Sequence, residues 1–133
     1  MTHSSALQVE QDIFLPQMAT LVDASDMTAD EKFFHFRLDH DPGEGYKPGQ
    51  FMELSVLGIG EAPISISSSP GRSNGTFELC VRNVGDVTNA MHGLEPGDFL
   101  GVRGPFGEGF PIEKMKGKDV LFAAGGLGLA PLR

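Results

Sequence analysis

Residues 77–94 read FELCVRNVGDVTNAMHGL, and their rhythm changes at Gly85. Before it, Phe77, Leu79 and Val81 alternate with Glu78, Cys80 and Arg82, which is the period of a strand with one face in a core. After it the alternation stops. Asp86 opens a run of eight or nine residues that closes near Gly93, the signals of one or two turns of helix. The turn Glu95-Pro96-Gly97-Asp98 follows, and FLGVRGPF at 99–106 returns to a strand pattern before a run of glycines.

The rest of the chain up to that point repeats the first half of this pattern. QMATLVDASDM (17–27) predicts a strand with Met18 and Leu21 facing inward. In TADEKFFHFRLDH (28–40), Phe34 and Phe36 alternate with His35 and Arg37. DPGEGYKPGQ (41–50) is turn chemistry, and FMELSVLG (51–58) sets Met52, Leu54 and Val56 on one face. APISISSSP (62–70) alternates isoleucine with serine, and Asn74-Gly75 is a strong hairpin signal. Six short strands with frequent turns and one short helix predict a mainly β fold, a six-stranded antiparallel barrel. Its expected limits are 14–108, after a lead-in at 1–13.

From Pro111 the pattern differs. Residues 109–118 read as a polar linker. DVLFAA (119–124) is a continuous apolar run of the kind found in strands buried on both faces of a parallel sheet. It meets Gly125, Gly126 and Gly128, and then Ala130-Pro131. A strand, a glycine turn and a helix start are how a main chain offers unpaired N–H groups to an anion. The third glycine position of a dinucleotide fingerprint is filled by Pro131, and no Gly-Lys-Ser/Thr follows. Residues 119–133 are thus expected to be the first strand and Gly-rich turn of an α/β domain.

Composition narrows the function. The chain has 133 residues and a net charge of −8, which disfavours a nucleic-acid backbone as partner. No run approaches the roughly 20 apolar residues of a membrane span, and the N-terminus lacks the regions of a secretory signal, so the expected location is cytoplasmic. One cysteine, Cys80, excludes an internal disulfide and a self-contained cysteine-rich metal or iron–sulfur site. It reads as a buried, inert thiol. The four histidines show no ligand spacing, so no metal site is expected.

Several residues have two readings each. The first N–H groups of the short helix, at Gly85, Asp86, Val87 and Thr88, suit a pyrophosphate, with Thr88 adding a hydroxyl, or are capped by Asp86 itself. Ser65 and Ser67 to Ser69 either pass a flat polar ligand or face solvent. Arg82 and Arg103 either meet phosphate or pair with acidic neighbours.

The order of these features resembles the ferredoxin–NADP reductase superfamily. APISISS, VGDVT opening a helix, LEPGDFLGVRGPFG and FAAGGLGLAPLR carry the likeness, from about Pro16 to Arg133. Within the superfamily it is most similar to electron-transfer subunits: the gamma subunit of nickel–iron hydrogenase or sulfhydrogenase, the corresponding subunit of anaerobic sulfite reductase, and the dihydroorotate dehydrogenase electron-transfer subunit. The resemblance implies that 14–108 bind FAD and that 119–133 open an NAD(P)-binding domain with Gly125, Gly126 and Gly128 at its turn.

The flavin motif Arg-x-Tyr-Ser/Thr is matched by Ala62, Pro63, Ile64 and Ser65, without its arginine and tyrosine. By resemblance Ser65 lies near the reactive flavin nitrogen, and Ile64 replaces the ring-packing tyrosine with less area. Val84, Gly85, Val87 and Thr88 match the pyrophosphate turn, and Arg82 is the candidate substitute for the missing arginine. The implied activity moves electrons between NAD(P)H and an iron–sulfur centre of a partner complex. The two-iron two-sulfur cluster is expected only in a missing C-terminal part, because this chain reads as a C-terminally truncated fragment. Its apolar 120–132 segment then has no sheet to join and is expected to be unstructured or loosely packed on the barrel. The alternative is a non-enzymatic β-barrel interaction domain with a decayed flavin site. A riboflavin-synthase-like barrel is disfavoured by the α/β start.

Overall fold

Why six short strands need each other is visible in their pairing. A computed structural model describes residues 13–40 and 45–133. The lead-in up to residue 12 and part of the 41–50 turn lie outside the described residues. The strands are β1 (Gln17–Asp26), β2 (Glu31–Leu38), β3 (Phe51–Val56), β4 (Gly60–Ser65), β5 (Thr76–Arg82) and β6 (Phe99–Phe106). They form one sheet in the order β4-β3-β6-β1-β2-β5, with every adjacent pair antiparallel.

In that order β4 and β5 are edges, and an unpaired edge leaves a row of main-chain donors and acceptors unsatisfied. The chain joins them just past β4. Ile66 N donates to Gln50 O at 3.0 Å, while Ile66 itself bridges Leu79 of β5. Ser67 N then donates to Glu78 O at 2.8 Å. Within two residues the strand leaves one neighbour and takes the other, and the sheet closes.

The interior is the alternating apolar set read from the sequence. Phe34, Phe36, Met52, Leu54, Phe77, Leu79 and Val81 are all buried, with Leu100 and Val102 from β6. Phe36 stacks between Phe34 (5.9 Å) and Phe77 (5.7 Å). Burying each such ring contributes up to about 3 kcal/mol. A short helix, α1 (Asp86–His92), caps one end, inserting Met91 into the core. His92 completes that lid, with its ring edge-on to Phe34 at 5.8 Å and Nε2 2.8 Å from Val81 O.

Four sequence expectations are corrected here. Ala19 and Leu21, not Met18, fill the core from β1, and a bulge between Leu21 and Asp23 shifts the register beyond them. Asn74-Gly75 does not make a two-residue hairpin, because a 3-10 turn at Pro70–Arg72 precedes it. The N-cap of α1 is Gly85, which places Asp86 one position inside the helix. No strand forms over 119–125. The segment has no regular secondary structure, with Val120, Leu121 and Phe122 exposed, since no strand among the described residues supplies it a ladder.

The 109–118 linker contains one helical turn, α2 (Ile112–Met115). Gly126–Leu132 is a 3-10 helix that packs on β5, so this end of the chain lies against the barrel. No helix among the described residues is long and apolar enough to cross a membrane.

Phe34 touches two aromatic neighbours and the lid at once. Phe34→Ala is expected to cost about 3–5 kcal/mol of stability, measured by chemical denaturation. Met18→Ala, on the opposite face of β1, is expected to change it by well under half of that.

Candidate functional site

Because β4 turns onto β5, the end of one strand and the outer face of the other form a shared wall. Two cavities of about 320 and 860 Å³ lie between this wall and the 126–132 3-10 helix. They share Ser67, Cys80, Arg82, Leu127 and Ala130. The smaller is completed by Pro63, Ile64 and Ser65 of β4 and by Val84 and Thr88 at the start of α1. The larger extends over Thr28, Glu31 and Phe33. The outward side chains of β2 and β5 face each other along it, with Glu31 opposite Arg82 and Phe33 opposite Cys80.

The roof is held at its far end. Arg133 lies 5.2 Å from the Phe33 ring centroid and 3.5 Å from the Glu78 carboxylate. Cation–ring contacts of this sort contribute about 0.5–1 kcal/mol where exposed. Gly126 takes a φ of 57° at the start of the 3-10 helix, and a Cβ there would meet Arg82 at 3.7 Å.

Most of the sequence-predicted residues converge on this groove. Pro63, Ile64, Ser65, Arg82, Val84, Thr88, Gly126 and Gly128 line it. Ala62 shares the half-buried side of β4 with Ile64 and does not line either cavity. Val87 points inward, packing on the core and on Gly60. Gly85 and Gly125 each have open space where a Cβ would stand.

The Val84–Thr88 turn is built by one hydroxyl. Thr88 Oγ1 accepts from the N–H groups of Val84 and Gly85, each at 2.9 Å, and donates to Gly85 O at 3.1 Å. A hydroxyl has one proton and two acceptor sites, so this one has no capacity left for a ligand. Thr88 therefore shapes the turn. With glycine as N-cap, no side chain among the described residues caps the first turn of α1, and the amides of Asp86 and Val87 have no acceptor among them.

Arg82 Nε and one Nη both donate to the same Glu31 oxygen, at 2.8 and 2.6 Å, and the other Nη has no hydrogen-bond partner among the described residues. Hydrogen bonds from Thr28 and Arg82 hold the Glu31 carboxyl below its ordinary value of 4.5. Arg103 takes the pairing alternative: it bonds both oxygens of Glu61 and the Ile13 carbonyl, away from the groove. Cys80, expected as a buried, inert thiol, is a half-buried wall residue. Burial, with the Glu31 charge second, raises its thiol pKa and keeps it neutral.

Sequence reasoning missed Glu31, Thr28, Phe33, Cys80, Leu127 and Ala130. The outward alternation of β2 and β5 marks Glu31, Phe33 and Cys80 as one face, but not that anything covers it. Among the described residues no cluster of acidic, histidine or cysteine side chains suits a metal ion.

The family profile for the oxidoreductase FAD-binding domain matches residues 18–110. The chain belongs to that family. This FAD-binding domain is 52% identical over 111 residues to the sulfhydrogenase 1 gamma subunit of Pyrococcus furiosus, covering 80% of this chain and 37% of that protein. It is 37% identical over 117 residues to a probable dihydroorotate dehydrogenase B (NAD(+)) electron transfer subunit of Methanocella arvoryzae, covering 88% and 41%. Among solved structures it superposes on the Amycolatopsis cytochrome P450 reductase GcoB with a TM-score of 0.75 and 29% identity, over 87% of this chain and 36% of that one. The chain thus spans about two fifths of the length of these relatives.

Two outcomes check the geometry. Thr88→Ala strands two amides and is expected to lower stability by about 1–2 kcal/mol in chemical denaturation, with Thr88→Ser recovering most of it. Glu31, with its folded pKa lowered, contributes stability that is fully present above 4.5 and is lost as pH falls through the lower folded value. The acid limb of a stability–pH curve is therefore expected to flatten in Glu31→Gln.

Proposed function

We propose that this chain is the flavin-holding part of an electron-transfer reductase subunit, and that FAD lies in the groove between β4, β5 and the 126–132 3-10 helix. The observation that carries this is the convergence of Pro63–Ser65, Arg82 and the Val84–Thr88 turn on one cavity. The chemistry of the lining suits the two halves of that cofactor. Pro63, Ile64 and Val84 offer apolar contact to a flat ring, and Val84 stays 75% exposed.

The diphosphate finds donors of another kind. Arg82, Val84 and Thr88 line the smaller cavity, and the amides of Asp86 and Val87 belong to the first turn of α1 between Val84 and Thr88. Gly85 leaves that approach clear, because nothing lies within 4 Å of where its Cβ would stand. Main-chain amides bind an anion without adding charge, which suits a protein of net −8. Arg82 replaces the arginine absent at Ala62, tethered by Glu31 so that it does not fold away.

Bound FAD supplies the ability to take electrons in a pair and release them singly. The chain's own residues place the ring, keep the thiol of Cys80 neutral beside it, and exclude water with the Leu127–Ala130 roof. In the whole protein, the donor is NAD(P)H, met by the segment opening at Gly125, Gly126 and Gly128, and the acceptor is an iron–sulfur centre in a partner complex. That the Methanocella relative is a probable NAD(+) dihydroorotate dehydrogenase electron transfer subunit supports this reading.

Titration of the purified chain with FAD, followed by flavin absorbance and fluorescence, is expected to saturate. Gly85→Trp fills the approach to the turn at a φ of −171°, which any residue adopts. It is expected to weaken FAD binding at least tenfold with an unchanged circular dichroism spectrum. Arg82→Gln, combined with Glu31→Gln so that no charge is stranded, is expected to weaken it about tenfold or more. A chain that takes up no FAD, or one that binds it equally well with Trp at 85, overturns the proposal.

A further inference from the structure

One hydroxyl in the shared wall has no partner. Ser67 is 2% exposed, and its Oγ is shut from solvent without a hydrogen bond to any described residue. Buried side-chain oxygens are nearly always paired, so an orphan asks for an explanation. The other such oxygen, Gln17 Oε1, sits at the start of β1 and lines neither groove cavity. Ser67 lines both.

The position is fixed by the closure of the barrel. Ser67 N donates to Glu78 O, and Ile66 before it bridges Leu79, so the Cβ of Ser67 is held at the junction of β4 and β5. Only χ1 is free, and a serine hydroxyl moves among three staggered wells. The adjacent serines are already engaged or turned elsewhere. Ser68 Oγ accepts from Glu78 N at 3.0 Å and lies 2.5 Å from Tyr46 Oη, while Ser65 is exposed at the mouth of the smaller cavity. Alanine would satisfy the packing at 67 without burying an unpaired polar group. The hydroxyl is therefore surplus to the fold.

The surroundings indicate what it would meet. Ser67 and Cys80 are both shared by the two cavities, and Cys80 is a neutral thiol. The one charged donor that also lines both cavities, Arg82, is already bonded to Glu31. A floor of uncharged, hydrogen-bonding groups suits the polar edge of a heteroaromatic ring, with its carbonyl and imide groups, rather than a phosphate. We propose that Ser67 is a ring-reading residue, whose hydroxyl turns to hydrogen-bond the polar edge of a flavin ring lying in the groove. This rests on the flavin reading of the groove and goes beyond it by assigning a contact to a residue outside the matched motif Ala62–Ser65.

The test uses the full chain, FAD, riboflavin and Ser67→Ala. Without ligand, Ser67→Ala is expected to melt at the same temperature as the wild type or higher, because it removes an unsatisfied buried hydroxyl. With ligand it is expected to bind both FAD and riboflavin about tenfold more weakly, since a ring contact is lost whether or not phosphates are present. The Arg82→Gln, Glu31→Gln double variant is the contrast, losing affinity for FAD and keeping that for riboflavin.

Three results overturn the proposal. Equal FAD affinity in wild type and Ser67→Ala sinks it alone and leaves the flavin reading standing. A lower melting temperature of ligand-free Ser67→Ala shows that the hydroxyl serves the fold. A wild type that takes up no flavin removes both readings together.

Discussion

The structure depends on one handover of main-chain hydrogen bonds. At Ile66 and Ser67 the chain stops pairing with β3 and starts pairing with β5. An antiparallel sheet of short strands is weak while its edges are open, because each edge carries polar groups that water or another chain must satisfy. Closing the sheet removes that cost and wraps the apolar faces around the Phe34–Phe36–Phe77 stack. It also has a local consequence. The residues at the handover and the outer face of β5 become neighbours, and the groove wall is drawn from these two segments, from β2 with the turn before it, and from the turn that follows β5.

The groove combines two environments that are hard to combine in a small acidic chain. Its floor is neutral and half-buried. One tethered guanidinium, Arg82, lines both of its cavities, and the Val84–Thr88 turn borders the smaller. An anion approaching a protein of net charge −8 is repelled at long range, but salt screens that field within about 10 Å. On the flavin reading of the groove, what the ligand meets at contact is the local set of donors. Glu31 takes part by holding Arg82, and Thr88 by consuming the two amides that would otherwise compete for the turn's shape.

How much of this is legible in the sequence depends on range. Strand faces are a local property, so the alternation in Phe34/Phe36, Met52/Leu54 and Phe77/Leu79/Val81 reads through to the core without error. Where a non-local partner intervenes, the reading fails. The pairing of β1 with β6 and β2 selects Ala19 and Leu21 for the core, and the bulge beyond Leu21 has no signature in the letters QMATLVDASDM. DVLFAA has the composition of a central strand, yet a strand exists only with a neighbour to pair with, and none among the described residues pairs with 119–125. At the start of α1 the error is one of position: Gly85 and Asp86 are both acceptable caps, and backbone geometry chooses the first.

The sequence by itself determined the six strands, the short helix, the inward faces of most of them, and the segments from which the site is drawn, because each rests on spacing along the chain. The tertiary structure alone decided that these segments meet. Whether Cys80 is core or groove wall, whether Ser67 is paired or orphaned, and whether Arg82 reaches a ligand or an acid all depend on atoms tens of residues away. Those relations are set by strand order and closure, and periodicity carries no information about either.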